Sequence, residues 1–324
     1  LPEEEYMLPG TRACSGCGLS LAYRHILKAL GEKTILTIPA SCLTVLHGLY
    51  PCTSVRLTNI NTAFATTAAS ATGIAAGLKA LGKTDYTVVG IAGDGGTFDI
   101  GIQALSAAAE RNSDFLYICY DNEGYMNTGT QRSSATPMGA FTTTPPATKI
   151  EHKKDMIAIM EAHGIPYMAS ASPAYPLDLY DKVAKAKTIH GTRYIQVNIP
   201  CAPGWGFPTD DLVKLGKLAV DTAIWVLFEI EDGLFRLTGR SRRMAKSGKK
   251  KTVEQYLKLQ ERFKHITPDQ VDHLQGWVDN RWEQFQQRHR GSPDPVQPLP
   301  RSPSGGSGAG NESFWRNCAA DRHL

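Results

Sequence analysis

The sequence predicts an α/β fold with a mainly parallel central sheet and a helical C-terminal extension. Three observations carry this. Short apolar runs alternate with longer helical patterns from about Ile35 to Asn198, the runs are flanked by glycine-rich turns, and the alternation stops after Ala219. Taken in order, Thr34–Ile38 is a candidate strand, and the alanine-rich Ala63–Ala80 is a closely packed helix despite Gly73 and Gly77. Tyr86–Ala92 has the unbroken apolar character of a buried strand, Ile100–Arg111 is a helix, and Phe115–Tyr120 is a second buried strand. Asp155–His163 (helix), Tyr167–Ala171 (strand), Leu177–His190 (helix) and Tyr194–Ile199 (strand) continue the pattern. Beyond Ala219, Val226–Ile230 and Leu234–Thr238 flank Glu231-Asp232-Gly233 and predict a hairpin. Arg240 to Lys251 is expected as a basic loop, with helices near Thr252–Phe263 and Pro268–Arg288. Gly291 to Gly310 is dominated by proline, glycine and serine and is expected to be a flexible tail, with Cys318 beyond it.

Composition narrows the function classes. With 324 residues, 42% hydrophobic and 20% charged, the chain has the profile of an ordinary globular protein able to bury a large core. A net charge of +4 with no aromatic-interleaved basic patch argues against nucleic acid. No apolar run approaches the roughly 18 residues of a membrane span. Leu1-Pro2-Glu3-Glu4-Glu5 lacks the basic and apolar parts of a secretory signal, so a cytoplasmic location is expected. The seven cysteines are too few for a disulfide scaffold, and their close pairs suggest a metal or cluster first.

The segment with the clearest chemistry is Gly90-Ile91-Ala92-Gly93-Asp94-Gly95-Gly96, which leaves a buried strand and enters a helix. Glycines there let backbone amides approach a diphosphate, and the helix start favours negative charge. Asp94 offers the hard oxygen that magnesium requires. The next strand ends at Tyr120-Asp121-Asn122-Glu123-Gly124, so Asn122 can return to the same crevice and offer its amide oxygen to the same ion. Taken singly, each segment is an ordinary strand-end turn; the paired arrangement favours a ligand site, though these residues alone do not say which ligand.

Cys14-Ser15-Gly16-Cys17 presents two soft ligands on a tight loop, with Cys42 and Cys201 as candidates for a third and a fourth. Four thiolates can hold zinc or a [4Fe–4S] cluster, with structural zinc the default on these residues alone, and a redox dithiol is disfavoured because the CxxC lies outside a clear thioredoxin strand–helix unit. Cys52 is a weaker alternative ligand, and Cys119 lies within an apolar strand and is expected in the core.

Gly93-Asp94-Gly95 followed by Asp121-Asn122 resembles the thiamine diphosphate motif. The longer stretches Gly93 to Gly101 and Tyr120 to Gln131 are similar to the beta subunit of pyruvate:ferredoxin oxidoreductase and its relatives, a resemblance that covers most of residues 10–290. It implies a thiamine-diphosphate-binding fold in which Gly93, Asp94, Gly95, Gly96, Asn122 and Gly124 hold the cofactor, with Asp94, Asn122 and the Gly124 carbonyl on Mg2+. Asn127 and Thr128 match residues near the cofactor's reactive end and are implied as positioning residues. The family's spacing of cysteines selects a [4Fe–4S] cluster on Cys14, Cys17, Cys42 and Cys201. The implied activity is oxidative decarboxylation of a 2-oxoacid, with electrons passed singly through the cluster to ferredoxin; the cofactor carries the bond chemistry and the protein its geometry.

The resemblance also implies partners: an alpha subunit that completes the active site, gamma/delta or ferredoxin-like subunits, ferredoxin, and coenzyme A if the substrate is pyruvate. Pyruvate is the first expectation. Oxalate, cleaved without an acyl acceptor, is the main alternative, and 2-oxoglutarate ranks lower. A non-redox thiamine-dependent decarboxylase, or a nucleotide-binding structural subunit with zinc on its cysteines, remains as a different class. The expected organisation is a cluster-binding segment and start of the core in 1–62, a thiamine-diphosphate-binding core in 63–218 and a partner-contact extension in 219–290, followed by the tail in 291–324. Arg240, Arg242, Arg243, Lys246, Lys249, Lys250 and Lys251 are expected to be a solvated basic run, with steering of ferredoxin or a coenzyme A phosphate as the alternative. His47 and Arg56 are weaker site candidates.

Overall fold

All seven residues of Phe115–Asp121 are buried, the condition of a strand covered on both faces. The computed structural model describes residues 1–48 and 52–292 and shows what covers it. In chain order its elements are α1 (Gly18–Leu30), β1 (Thr34–Pro39), α2 (Cys42–His47), β2 (Thr58–Thr62), α3 (Thr67–Ala80) and β3 (Thr87–Gly93). Then come α4 (Ile102–Glu110), β4 (Phe115–Asp121), the hairpin β5 (Phe141–Thr143) and β6 (Pro146–Thr148), α5 (Met156–Glu161), β7 (Tyr167–Ala171) and α6 (Pro176–Thr188). The chain continues through β8 (Thr192–Asn198), α7 (Ala202–Trp205), α8 (Leu212–Asp221), β9 (Phe228–Glu231), β10 (Leu234–Leu237), α9 (Gly239–Ser247), α10 (Glu254–Leu257) and α11 (Pro268–Gly291).

The main sheet has eight strands in the order β10-β9-β7-β8-β4-β3-β1-β2. From β7 to β2 every neighbour pair is parallel, and only the β7–β9 and β9–β10 pairs are antiparallel, so β9 alone runs the other way. The predicted α/β class with a mainly parallel sheet is therefore what the chain adopts. Side-chain alternation along the strands builds two cores, one per face. Phe115, Tyr117 and Cys119 point into one, with Trp205, Phe228 and Trp282. Leu116, Ile118 and Tyr120 point into the other, with Tyr23, Leu27 and Ile199.

Register matters most between β3 and β4, where Ile91 pairs with Ile118 and Gly93 with Tyr120. The two strands end side by side, so the turns that follow open at the same edge, outside the carboxyl ends of a parallel sheet.

Several elements differ from expectation. Helix α1 was not foreseen, although Leu19, Ala22, Tyr23, Ile26, Leu27 and Leu30 form a buried stripe at helical spacing. Gly31, in the left-handed region at φ 74°, ends the helix by donating its N–H to Leu27 O. The expected helix Ala63–Ala80 begins only at Thr67, and Thr58–Thr62 ahead of it is the outer parallel strand, too polar to betray itself by apolar alternation. The expected basic loop Arg240–Lys251 is helical over Gly239–Ser247, because Ser241 and Met244 bury one side of it. The expected helix Thr252–Phe263 is broken into α10 and a 3-10 turn at Glu261–Phe263.

The C-terminal hairpin joins the core: β9 pairs with β7, which makes the hairpin the last two strands of the main sheet. Phe285 of α11 stacks on Phe228 and Phe235 of that hairpin, with ring centroids 5.5 and 5.4 Å apart. Leu1–Gly291 accordingly forms one compact unit. Residues 293–324, which hold most of the expected tail and Cys318, lie outside the described residues. No helix among the described residues is long and apolar enough to cross a membrane.

Candidate functional site

Strand β3 leads directly into a π-helical turn, Gly95–Asp99, with Asp94 at its entrance and fully buried. π-Helical turns concentrate at functional sites, where the wider ring re-aims backbone groups. The glycine at 95 is demanded by packing, since a Cβ there would stand 2.4 Å from the Tyr125 ring. That ring cannot easily yield, because Tyr125 donates its hydroxyl to Asp99 Oδ2 at 2.9 Å. Gly95→Ala is therefore expected to destabilise the protein by about 1–3 kcal/mol through overpacking. A thermal melt checks this, and an unchanged Tm would show that the ring gives way.

Asp94 and Asn122 meet as the strand ends dictate. Asn122 Oδ1 stands 2.9 Å from Asp94 Oδ1 and 3.0 Å from the Gly124 carbonyl oxygen. Three oxygens this close repel one another unless the amide turns its NH2 inward or a cation stands between them. Oxygens about 2.1 Å from a magnesium ion at adjacent octahedral positions lie about 3 Å apart, so the spacing fits such an ion. Ser133 Oγ donates to the other carboxylate oxygen of Asp94 at 2.5 Å. Burial, reinforced by the neighbouring charge of Asp121, pushes the Asp94 carboxyl well above the usual carboxylate range, and Ser133 offsets only part of this. A cation at Asp94 would favour the ionised form.

A buried charge network stands behind this group. Asp121 accepts from Lys153 Nζ and from Gln196 Nε2, both at 2.6 Å. Lys153 also reaches Glu123 at 3.1 Å, and Arg262 meets the other Glu123 oxygen at 2.6 Å. Burial raises Asp121, against the pull of Lys153. Burial acts upward on Glu123 too, yet Lys153 and Arg262 together hold its pKa below the usual value. Lys153 is raised despite burial, because Asp121 and Glu123 face it. Three carboxylates thus share two cations, a deficit that one divalent ion would more than correct.

The four predicted cysteines line one cavity, together with Asn122 and Asn127. Cys17 and Cys201 form a β-bridge, which brings the N-terminal loop against the segment after β8. Burial, then the neighbouring Cys201, Cys17 and Cys14, pushes the Cys42 thiol up to about 12; burial takes Cys201 to about 11 and also raises Cys17. These thiols hold their protons at neutral pH, and a metal or cluster binds by displacing them. The donor set is soft and sulfur-only, as clusters and structural zinc both require. Among the described residues, no group of three or more His, Cys, Asp or Glu side chains is already drawn into a tight cage. Met126 lies between this cavity and the Gly124 loop: a Cβ on Gly204 would stand 2.2 Å from its sulfur and 3.2 Å from Cys201 Sγ.

The other candidates divide. Thr128 is exposed and pairs with Gln131, its Oγ1 donating to Oε1 at 2.5 Å while Gln131 Nε2 donates back to Thr128 O at 2.8 Å. Asn127 is exposed and faces the cysteine cavity. Cys52 is exposed, and Cys119 is buried as expected. Arg56 lies at the surface against Glu4 and the Glu5 carbonyl, away from the cradle. Of the basic run, Arg240 and Lys251 meet Asp221, and Lys250 meets Asp279.

His47 is buried and structural, with Nε2 2.8 Å from Tyr23 Oη and its ring stacked on the tyrosine. Burial lowers its pKa to about 4. Its folded value lies below its unfolded value of about 6.5, so the stability it lends is complete above that value and drains as pH falls toward 4. Acidification from pH 7 to pH 5 is expected to cost about 2 kcal/mol through this group. His47→Gln should flatten that part of a pH–stability profile; an unchanged slope would assign it elsewhere.

Sequence reasoning missed Ser133, Lys153, Gln196, Trp205 and Arg262. Trp205 stands four residues after Cys201 and Ser133 two after Gln131, so their places were in view but not their roles, whereas Arg262 reaches Glu123 across 139 residues.

Comparisons with known proteins bear on this arrangement. Over 285 residues the chain is 49% identical to pyruvate synthase subunit PorB of Methanothermobacter thermautotrophicus, covering 86% of this chain and 97% of that one. It is also 49% identical, over 296 residues, to ketoisovalerate oxidoreductase subunit VorB of Pyrococcus horikoshii, covering 88% and 94% of the two chains. The chain belongs to the beta subunits of the 2-oxoacid:ferredoxin oxidoreductases. As a member of that family it is a subunit of a thiamine-diphosphate-dependent enzyme. Residues 40–197 match the thiamine pyrophosphate enzyme C-terminal TPP binding domain, a span that contains Asp94, Asn122 and Gly124. Among solved structures, the 2-oxoglutarate:ferredoxin oxidoreductase from Magnetococcus marinus shares the fold of this beta subunit. Its TM-score is 0.55 at 23% identity, over 63% of this chain and 69% of that one.

Proposed function

We propose that this beta subunit grips the magnesium-diphosphate end of thiamine diphosphate and carries the adjacent [4Fe–4S] cluster of an enzyme that oxidatively decarboxylates a small 2-oxoacid. The observation that carries the reading is the sharing of one wall by two donor sets. The oxygens of Asp94, Asn122 and Gly124 converge on one side, and Cys14, Cys17, Cys42 and Cys201 line the cavity on the other. Hard oxygens suit Mg2+, and four sulfurs suit an iron–sulfur cluster. When bound, thiamine diphosphate supplies the carbanion chemistry by which a 2-oxoacid loses carbon dioxide.

The chain's own residues do the rest. Asp94, Asn122 and the Gly124 carbonyl hold the ion. The close approach at Gly95 and Gly96 brings backbone amides to the diphosphate, and Ser133 fixes the carboxylate rotamer of Asp94. Asn127 and Thr128, both exposed, would serve as positioning residues. Cys14, Cys17, Cys42 and Cys201 would hold a cluster in the cavity that Asn122 also lines, and such a cluster would supply one-electron chemistry toward ferredoxin. An alpha subunit would complete the substrate pocket, and coenzyme A would accept the acyl group.

Pyruvate is the first substrate to test. Ketoisovalerate is the second, because the relatives named for the two substrates are equally similar to this chain. The test is anaerobic purification of the complex with its partner subunits, followed by iron, sulfide and thiamine analysis. Ferredoxin reduction is then assayed with pyruvate, ketoisovalerate, oxalate or 2-oxoglutarate, each with and without coenzyme A. Coenzyme-A-dependent turnover of pyruvate is expected. Oxalate turnover without coenzyme A would overturn the substrate choice, and zinc without iron or thiamine would overturn the whole reading.

A further inference from the structure

Glu123 lies between two residues of the proposed metal site and has a backbone that side-chain-bearing residues rarely adopt. Its φ is +66°, in the left-handed region, where a non-glycine residue is strained unless its surroundings hold it. The surroundings here are specific. The Glu123 N–H donates to Asp121 Oδ1 at 3.2 Å, its carbonyl accepts from Thr136 Oγ1 at 2.8 Å, and its buried carboxylate is gripped by Lys153 and Arg262. That left-handed turn points the Asn122 side chain and the Gly124 carbonyl at the same spot, 3.0 Å apart.

Arg262 does more than neutralise Glu123. Its guanidinium lies 3.8 Å from the centre of the Trp205 ring, and its Nε donates to Gln260 Oε1 at 2.9 Å. Trp205, fully buried, donates its indole N–H to Asn122 O at 2.8 Å, and its backbone N–H bonds Cys201 O at 2.8 Å. One arginine from the C-terminal segment therefore touches both the loop with the oxygen donors and the turn that carries the last cysteine.

We propose that Arg262, anchored by its face on Trp205 of the Cys201 turn, is a positioning residue that acts through the Glu123 carboxylate to hold loop 122–124 in its strained, cation-binding conformation. The proposal rests on the cofactor reading above. Its logic is a planar donor that pairs with a carboxylate by one edge and stacks by its face, which lysine cannot reproduce.

The experiment measures binding of Mg2+ and thiamine diphosphate to the intact cofactor-depleted complex, by fluorescence titration, in wild type, R262M, E123G and E123G/R262M. R262M leaves the Glu123 carboxylate short of a partner and should weaken cofactor binding about 10–100-fold, the usual effect of losing a group that orients metal ligands. E123G removes both the carboxylate and the left-handed strain, so adding R262M to it should change the affinity less than about threefold. Hydrogen exchange over loop 122–124 should rise in R262M and not further in the double variant. Should R262M fail to assemble, the comparison of E123G/R262M with E123G decides alone. A tenfold or greater loss there, or an R262M affinity equal to wild type, overturns the proposal. A wild-type complex that binds no Mg2+ and thiamine diphosphate overturns the cofactor reading and this proposal with it, whereas tight wild-type binding with additive variants overturns this proposal alone.

Discussion

Asp94→Asn is expected to abolish cofactor binding without destabilising the cofactor-free protein. The substitution keeps the shape of the side chain, and its amide can still accept from Ser133. It also relieves a cost, because burial and Asp121 already disfavour the ionised carboxyl in the absence of a cation. What it removes is the single carboxylate of the proposed Asp94, Asn122 and Gly124 set. Loss of a group that merely orients a metal ligand costs about 10–100-fold in affinity, so loss of this charged ligand should cost on the order of 1000-fold. Thiamine diphosphate content after gel filtration should fall to background and turnover with it, while the Tm of the cofactor-free complex stays level or rises. Retained cofactor with a lowered Tm would make Asp94 a structural residue.

Cys201→Ala is expected to separate the two donor sets. Cys201 opens α7, four residues before Trp205, and its sulfur lies in the same cavity as Cys14, Cys17 and Cys42. Removing one of the four proposed thiolates would open the ligand set of the proposed cluster, so iron and sulfide per chain should drop sharply and ferredoxin reduction should vanish. Mg2+ and thiamine diphosphate should still bind, since Asp94, Asn122 and Gly124 are untouched and Trp205 keeps its bond to Asn122 O. Full iron content in this variant would exclude Cys201 as a ligand. Loss of both cofactors together would show that the cysteine turn and the oxygen loop fold as one element.

The two expectations differ in how they could be seen from the sequence. Asp94 and Asn122 stand at the ends of strands whose apolar runs are unmistakable, and the ends of adjacent parallel strands must open at one edge. The cysteines are visible as a residue type, but their meeting depends on the β-bridge between Cys17 and Cys201, which no local pattern encodes. The polar strand Thr58–Thr62 escaped notice because it lies at the sheet edge, where alternation is not enforced by burial on both faces. The helix Gly239–Ser247 escaped because its charges mask a narrow buried side at Ser241 and Met244.

The amino-acid pattern by itself determined the parallel α/β core and the two strand-end loops that carry Asp94 and Asn122, because strand period is a local property; the four cysteines were singled out by their resemblance to the family's spacing. Only the tertiary structure decided that Lys153, Ser133 and Arg262 complete the environment of those loops. It also decided that the C-terminal hairpin adds two strands to one edge of the main sheet. The reason is physical: a buried carboxylate must find partners, and one of the two that satisfy Glu123 comes from 139 residues away, where nothing in the local sequence announces it.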